Sequence, residues 1–138
     1  MTKYTTLCYL ERGGCWLMLH RIKKKNDVNH DKWIGVGGKF EPGETAQQCL
    51  LREVREETGL TLTEYRRRGI VTFAQDEADP EEMHLYTATG WTGTMIDGDA
   101  CAEGRLEWVE KAAVDSLPIW QGDRVFFALL AQDAPFFR

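Results

Sequence analysis

Two short strand-like apolar runs, Thr5–Leu10 and Cys15–His20, flank Glu11-Arg12-Gly13-Gly14, a pattern that predicts a β-hairpin closed by a glycine turn. The stretch from Lys23 to Asp31 is polar and lacks periodicity, so it reads as a surface loop. Ile70–Phe73 and Met83–Trp91 read as further strands. In the second, Met83, Leu85, Thr87, Thr89 and Trp91 fall on one face and His84, Tyr86 and Ala88 on the other, because side chains alternate along a strand. The five acids in Asp76–Glu82 predict a solvated loop between them. Arg105–Glu110 reads as another strand and Arg124–Ala131 as an apolar-rich helix. Hairpins mixed with at least two helices predict an α/β or α+β sandwich. No repeat or linker divides the chain, so residues 1–138 are expected to form a single domain.

The best-marked element is a helix over Thr45–Thr58. Thr45 with Gln48 three residues later makes a capping-box pattern, and Gly59 can end the helix in a left-handed conformation. At 100° per residue, Glu53, Glu56 and Glu57 share an arc of about 100°. Cys49, Leu50 and Val54 lie on that same side, while Gln48, Arg52 and Arg55 point away from it. A merely solvated helix would set its acids opposite the core. Carboxylates gathered beside an apolar stripe repel one another and need a cation, which a salt-bridged surface helix with only Arg52 and Arg55 does not supply. Carboxylate oxygens suit a hard divalent ion, Mg²⁺ or Mn²⁺, over zinc.

Composition sharpens this picture. The chain has 138 residues and is 43% apolar, enough for a packed core. Twenty-two acids against 17 bases give a net charge of −5, which argues against a nucleic-acid polymer as partner. Neither a signal-like start nor an apolar run of membrane-spanning length is present, so a cytoplasmic protein without membrane partners is expected. Cys8, Cys15, Cys49 and Cys101 have no zinc-like spacing and read as buried, reduced thiols. His20, His30 and His84 stand at no ligand spacing and receive no role.

Gly38, then five residues, Glu44, then seven, then Arg52-Glu53-Val54-Arg55-Glu56-Glu57-Thr58-Gly59-Leu60 carries every fixed position of the Nudix box, and the chain is identified by resemblance as a member of that family. The resemblance implies an α/β/α sandwich around a central mixed β-sheet, and hydrolysis of a nucleoside diphosphate linked to another moiety. It implies metal held by Glu53, Glu56 and Glu57 with the backbone carbonyl of Gly37, and Glu103 is the candidate for a further acid from outside the box. Glu53 is the candidate general base, in a role that Glu56 could share or exchange. Arg52 and Glu44 resemble the ion pair that orients the helix.

Trp33-Ile34-Gly35-Val36-Gly37-Gly38-Lys39 and Leu117-Pro118-Ile119-Trp120-Gln121-Gly122-Asp123 resemble segments of the MutT-type enzymes, which clear oxidised purine nucleoside triphosphates such as 8-oxo-dGTP from the nucleotide pool. On that resemblance Trp120 walls or stacks on the base, Asp123 reads its edge, and Trp33, Gly38, Lys39 and Arg21 contribute to substrate binding. Two positions depart from the eukaryotic pattern: Gly122 stands where an aspartate precedes Asp123, and Ile34 where those enzymes carry asparagine. Structural roles are open beside these. Asp123 also fits a helix N-cap, Trp120 a core residue, and Trp33 packing under the glycine loop. The implied reaction releases a nucleoside monophosphate and pyrophosphate. The alternatives are a hydrolase of ordinary dNTPs or nucleotide sugars, and a non-catalytic nucleotide-binding domain.

Overall fold

A computed structural model describes residues 2–23, 30–75, 78–98, 101 and 104–135. Strand β1 (Lys3–Arg12) turns through Gly13 and Gly14, both at positive φ (57° and 78°), into β2 (Cys15–His20). The expected hairpin is therefore present, with glycine where the left-handed turn requires it. A short β3 (Trp33–Ile34) precedes helix α1 (Ala46–Thr58); β4 (Thr61–Gln75) and β5 (Ala78–Thr92) form a long antiparallel pair. β6 (Arg105–Glu110) runs through a 3₁₀ turn, Lys111–Ser116, toward helix α2 (Gln121–Ala131).

The sheet is mixed, in the order β3-β2-β1-β5-β4, with β6 also paired to β2. β1 lies parallel to β5 from Lys3 opposite Glu81 to Leu10 opposite Ala88, and only its last residues, Glu11 and Arg12, pair with β2. Residues alternate between two cores, as the pleat demands. Cys8, Leu10, Tyr86 and Ala88 pack with Leu50 and Val54 of α1, whereas Tyr9, Met83 and Leu85 pack with Phe126 and Leu130 of α2. One helix thus covers each face, which is the sandwich expected from the sequence. The segment after β3 runs back along β1: the Cys8 N–H donates to the Val36 carbonyl (2.7 Å) and the Thr6 N–H to the Gly38 carbonyl (2.9 Å).

Four sequence expectations are corrected. The acidic stretch is not a free loop, because Ala78–Glu82 belongs to β5 and Glu81 accepts a hydrogen bond from the Thr5 hydroxyl at 2.9 Å; residues 76 and 77 lie outside the described residues. Trp91 packs with the Tyr86 and Ala88 cluster rather than with Met83, since the β4–β5 register shifts between Glu64 and Tyr65, where Thr89 is an extra residue in β5 and turns the strand. Cys15 is only half-buried at the hairpin turn, while the other three thiols are buried. Helix α2 begins at Gln121, so Asp123 is inside its first turn; the N-cap is Trp120, which offers no capping side chain.

Candidate active site

Helix α1 starts as its sequence dictates. The Thr45 hydroxyl accepts from the Gln48 N–H (3.1 Å), the Gln48 side chain accepts from the Thr45 N–H (3.0 Å), and Gly59 closes the helix at φ 80°. The helix is thereby fixed at both ends, and Leu50 and Val54 seat it on the sheet. This brings its glutamates against the glycine loop. The Gly37 N–H donates to Glu57 Oε2 at 2.9 Å, and a Cβ placed on Gly38 would meet the Glu53 carboxylate at 2.7 Å. A Cβ on Gly37 would collide with the Thr6 carbonyl. Both glycines are needed for close approach, not for a special φ.

Arg52, expected to point away from the apolar stripe, curls back as the hub of the acidic cluster. Its guanidinium grips Glu44 through two bonds (2.7 and 2.9 Å) and reaches Glu53 at 2.8 Å, Glu56 at 3.2 Å and Glu41 at 3.7 Å. It also donates to the Lys39 carbonyl at 3.1 Å. The bond from Arg52 pulls the Glu44 carboxyl down to about 2, and the same contact raises the Arg52 pKa. Cys49, a buried thiol as its place on the apolar side of the helix predicts, sits beneath the cluster, with Sγ 3.3 Å from the Thr6 hydroxyl and 3.5 Å from the Gly38 carbonyl. Burial pushes its thiol up to about 11, so it serves as a packing and hydrogen-bonding group, not a nucleophile.

A cavity of about 600 Å³ opens over this arrangement, lined by Gly37, Gly38, Lys39, Arg52 and Glu53 and, from the other side, by Arg21, Ile34 and Met83. Arg52 and Glu53 therefore meet the phosphate-side candidates Gly38, Lys39 and Arg21 in one place, whereas Glu44, Glu56 and Glu57 do not line it. Trp33, Trp120 and Asp123 do not line it. Trp33 is buried in the α2-side core and stacks flat on His20 (4.3 Å, 6° between planes), whose Nε2 lies 2.7 Å from Asp31. Trp120 is 39% exposed, which removes its core reading, and Lys32 stands 5.0 Å over its ring. Asp123 is 5% exposed; burial pushes its carboxyl up to about 6 against the opposing pull of a Trp120 backbone bond and Lys32. Thr5 and Leu7 of β1 also line the cavity, a role that period-2 reading of the strand could have found; no local signal marks Lys32.

Glu103 lies outside the described residues. Among the described residues no three Asp, Glu, His or Cys side chains are gathered closely enough to grip an ion; Arg52 and the Gly37 N–H hold the box glutamates instead. The donor set nonetheless fits a hard divalent cation. One guanidinium serves four carboxylates, Glu41, Glu44, Glu53 and Glu56, and that excess of anionic oxygen at a cavity wall calls for further positive charge. No helix among the described residues is long and apolar enough to cross a membrane.

Residues 1–130 match the NUDIX domain family. The chain is 31% identical over 114 residues to the oxidized purine nucleoside triphosphate hydrolase of Danio rerio, covering 82% of this chain and 71% of that one. The protein of the same name in Mus musculus is 30% identical over 115 residues, with the same two coverages. Among solved structures, a MutT protein from Bacillus halodurans superposes with a TM-score of 0.79 at 29% identity, over 98% of this chain and 86% of that one.

Proposed function

This chain belongs to the Nudix family of hydrolases, which generally use divalent metal ions on small nucleotide substrates, and from that premise we propose that it hydrolyses an oxidised purine nucleoside triphosphate, 8-oxo-dGTP foremost, to the monophosphate and pyrophosphate. The observation that carries the reading is the Glu53 carboxylate, fixed by Arg52 against Gly38 at the cavity wall. Mg²⁺, or Mn²⁺ in its place, would be held by Glu53, Glu56, Glu57 and the Gly37 carbonyl, with Glu103 as a further donor, and when bound it supplies Lewis-acid polarisation of the phosphoryl oxygens.

The chain's own residues account for the rest. Glu53 takes a proton from the attacking water, whose oxygen joins the phosphorus while the bridging oxygen departs with pyrophosphate. Arg52, anchored by Glu44, holds the Glu53 carboxylate at one angle, so little reorganisation is needed when the proton moves. Lys39 and Arg21 attract the phosphate chain into a cavity otherwise walled by acids. Asp123 and Trp120 read and bound the base, and a carboxyl with a pKa near 6 can switch between donor and acceptor toward a purine edge. Such an activity would keep oxidised precursors out of DNA.

Steady-state comparison of 8-oxo-dGTP with dGTP in Mg²⁺, with products identified, tests this. The expected kcat/KM ratio is at least about tenfold, or roughly 1.4 kcal/mol of differential transition-state binding. Equal values would remove the oxidised-purine assignment and leave an ordinary triphosphate or nucleotide-sugar hydrolase.

A further inference from the structure

Lys32 stands between the two groups assigned to the base. Its Nζ lies 5.0 Å from the centre of the Trp120 ring, and it is the cation whose charge reaches the buried Asp123 carboxyl. Its backbone is held from both sides. The Arg21 N–H donates to the Lys32 carbonyl at 3.0 Å, and the next residue, Trp33, donates its N–H to the Pro118 carbonyl at 2.8 Å, which ties β3 to the segment that carries Trp120. Above that anchored backbone the Lys32 side chain is half-buried, and its flexible stem lets the ammonium swing over a short arc. A second acid has no room beside Asp123: a Cβ on Gly122 would stand 3.3 Å from the Phe73 ring. Ile34, two residues along β3 from Lys32, brings no polar atom. Recognition at this end therefore rests on one carboxylate and one ammonium.

We propose that Lys32 is a specificity-determining residue, its ammonium donating to the 6-keto oxygen of a purine whose adjacent ring N–H is accepted by Asp123. A guanine-type base presents an acceptor at that position, whereas an adenine-type base presents an amino group, a donor. Facing an ammonium, the first gains a charge-assisted hydrogen bond and the second sets two donors against each other. Asp123 reads the neighbouring position. Ionised, as it is in neutral solution with a pKa of about 6, its carboxylate only accepts. That suits the N1–H of guanine and equally the N7–H that oxidation at C8 creates, because the 6-keto oxygen lies between the two. An unoxidised N7 would instead turn a lone pair toward the carboxylate. A base arriving on Trp120 draws the ammonium from over the ring to the base edge, so a cation–π contact is exchanged for a hydrogen bond. The inference rests on the reading above for the presence of a base here, but not for the choice between bases.

The test measures kcat/KM for 8-oxo-dGTP and 8-oxo-dATP, and for dGTP and dATP, in the unaltered chain, Lys32→Met and Lys32→Arg. The unaltered chain should prefer the guanine member of each pair by at least about tenfold, the scale of one charge-assisted hydrogen bond. Lys32→Met keeps the stem without the charge and should erase that preference, while Lys32→Arg, which keeps a cationic donor, should retain most of it. A loss of packing alone would lower all four values together and leave both ratios as they were; that outcome overturns the inference, as does an unaltered chain with no guanine preference. Kd values for the four corresponding monophosphates need no turnover. A guanine preference in binding that Lys32→Met abolishes supports the role of Lys32 even where no triphosphate is cleaved, a result that would overturn the hydrolytic reading alone. Equal kcat/KM for 8-oxo-dGTP and dGTP, with guanine still preferred over adenine, would remove the oxidised-purine assignment and leave Lys32 reading the base.

Discussion

The carboxylate of Glu53 occupies the space that a side chain at position 38 would need: a Cβ on Gly38 would lie within 2.7 to 2.8 Å of all three of its carboxyl atoms. The requirement for glycine there is thus set by the candidate base, while the requirement at Gly37 is set by the Thr6 backbone. The two neighbouring glycines should therefore respond differently to substitution. Gly38→Ala should leave the melting temperature within a few degrees, because a flexible glutamate can shift, but reduce kcat by about tenfold or more through misplacement. Gly37→Ala presses on backbone and should cost about 1–3 kcal/mol of stability in denaturant unfolding.

Glu53→Gln preserves shape and removes the proton acceptor. It should lower kcat by roughly 10²–10⁴-fold, the range for a general base, with a melting temperature close to that of the unaltered chain. Retention of the original turnover in a folded Glu53→Gln protein would transfer the base role to Glu56 or Glu57.

Arg52→Lys keeps the charge but loses the fork that grips Glu44 through two bonds and still reaches Glu53. An ammonium cannot span those acceptors in one plane. Turnover should fall by at least about tenfold while KM changes little, because the lost effect is orientation. Steady-state kinetics checks this, and an Arg52→Lys protein with unaltered kcat would show that the hub does not position Glu53.

Glu44 makes the clamp acid-sensitive in a defined direction. Its folded pKa, about 2, lies below the ordinary glutamate value of 4.5, so the stability it contributes is complete above pH 4.5 and is lost as pH falls toward 2. Glu44→Gln should erase that segment of the acid-unfolding curve, so the mutant and the unaltered chain should converge in stability as the pH approaches 2.

Asp123 has the opposite sign. Its folded pKa of about 6 exceeds the ordinary aspartate value of 3.8, so its stabilising contribution is full below pH 3.8 and disappears as pH rises through 6. A shift of that size corresponds to at most about 3 kcal/mol. Asp123→Asn should be nearly flat over the same window, and the difference between the two unfolding curves from pH 4 to 7 measures the effect. If Asp123 also reads the base, the preference for the oxidised purine in the unaltered chain should change across pH 6 and that of Asp123→Asn should not.

The comparison of sequence with structure divides along the range of the forces involved. Helix α1, its capping box, its Gly59 stop and the shared face of Glu53, Glu56 and Glu57 were legible because they depend on spacings of three and four residues. The Gly13-Gly14 hairpin was legible because the turn needs positive φ at adjacent positions. The box residues therefore mark the family and its sandwich in the sequence itself. The same spacing does not place Arg52: a helical wheel gives the direction of Cβ, but a long guanidinium can turn back to whichever carboxylates the fold brings near, here Glu44 and Glu41 from the preceding loop.

What only the tertiary structure decided were the contacts between segments distant in sequence. β1 runs parallel with β5 from Lys3 to Leu10 before its last two residues pair with β2, and no local pattern names a partner strand. Packing beneath α2 buries Asp123 in the first helical turn and leaves Trp120 exposed beside Lys32, although the two stand three residues apart in one polar and apolar mixture. The Phe40 N–H, bonded to the Tyr4 carbonyl at 3.0 Å, brings together two rings, 5.9 Å apart, that stand 36 residues apart in sequence. Local free energies of a few kcal/mol specify elements; which faces meet, and so which acids are buried and which rings are offered to a ligand, is settled by the far larger sum of packing across the whole sheet.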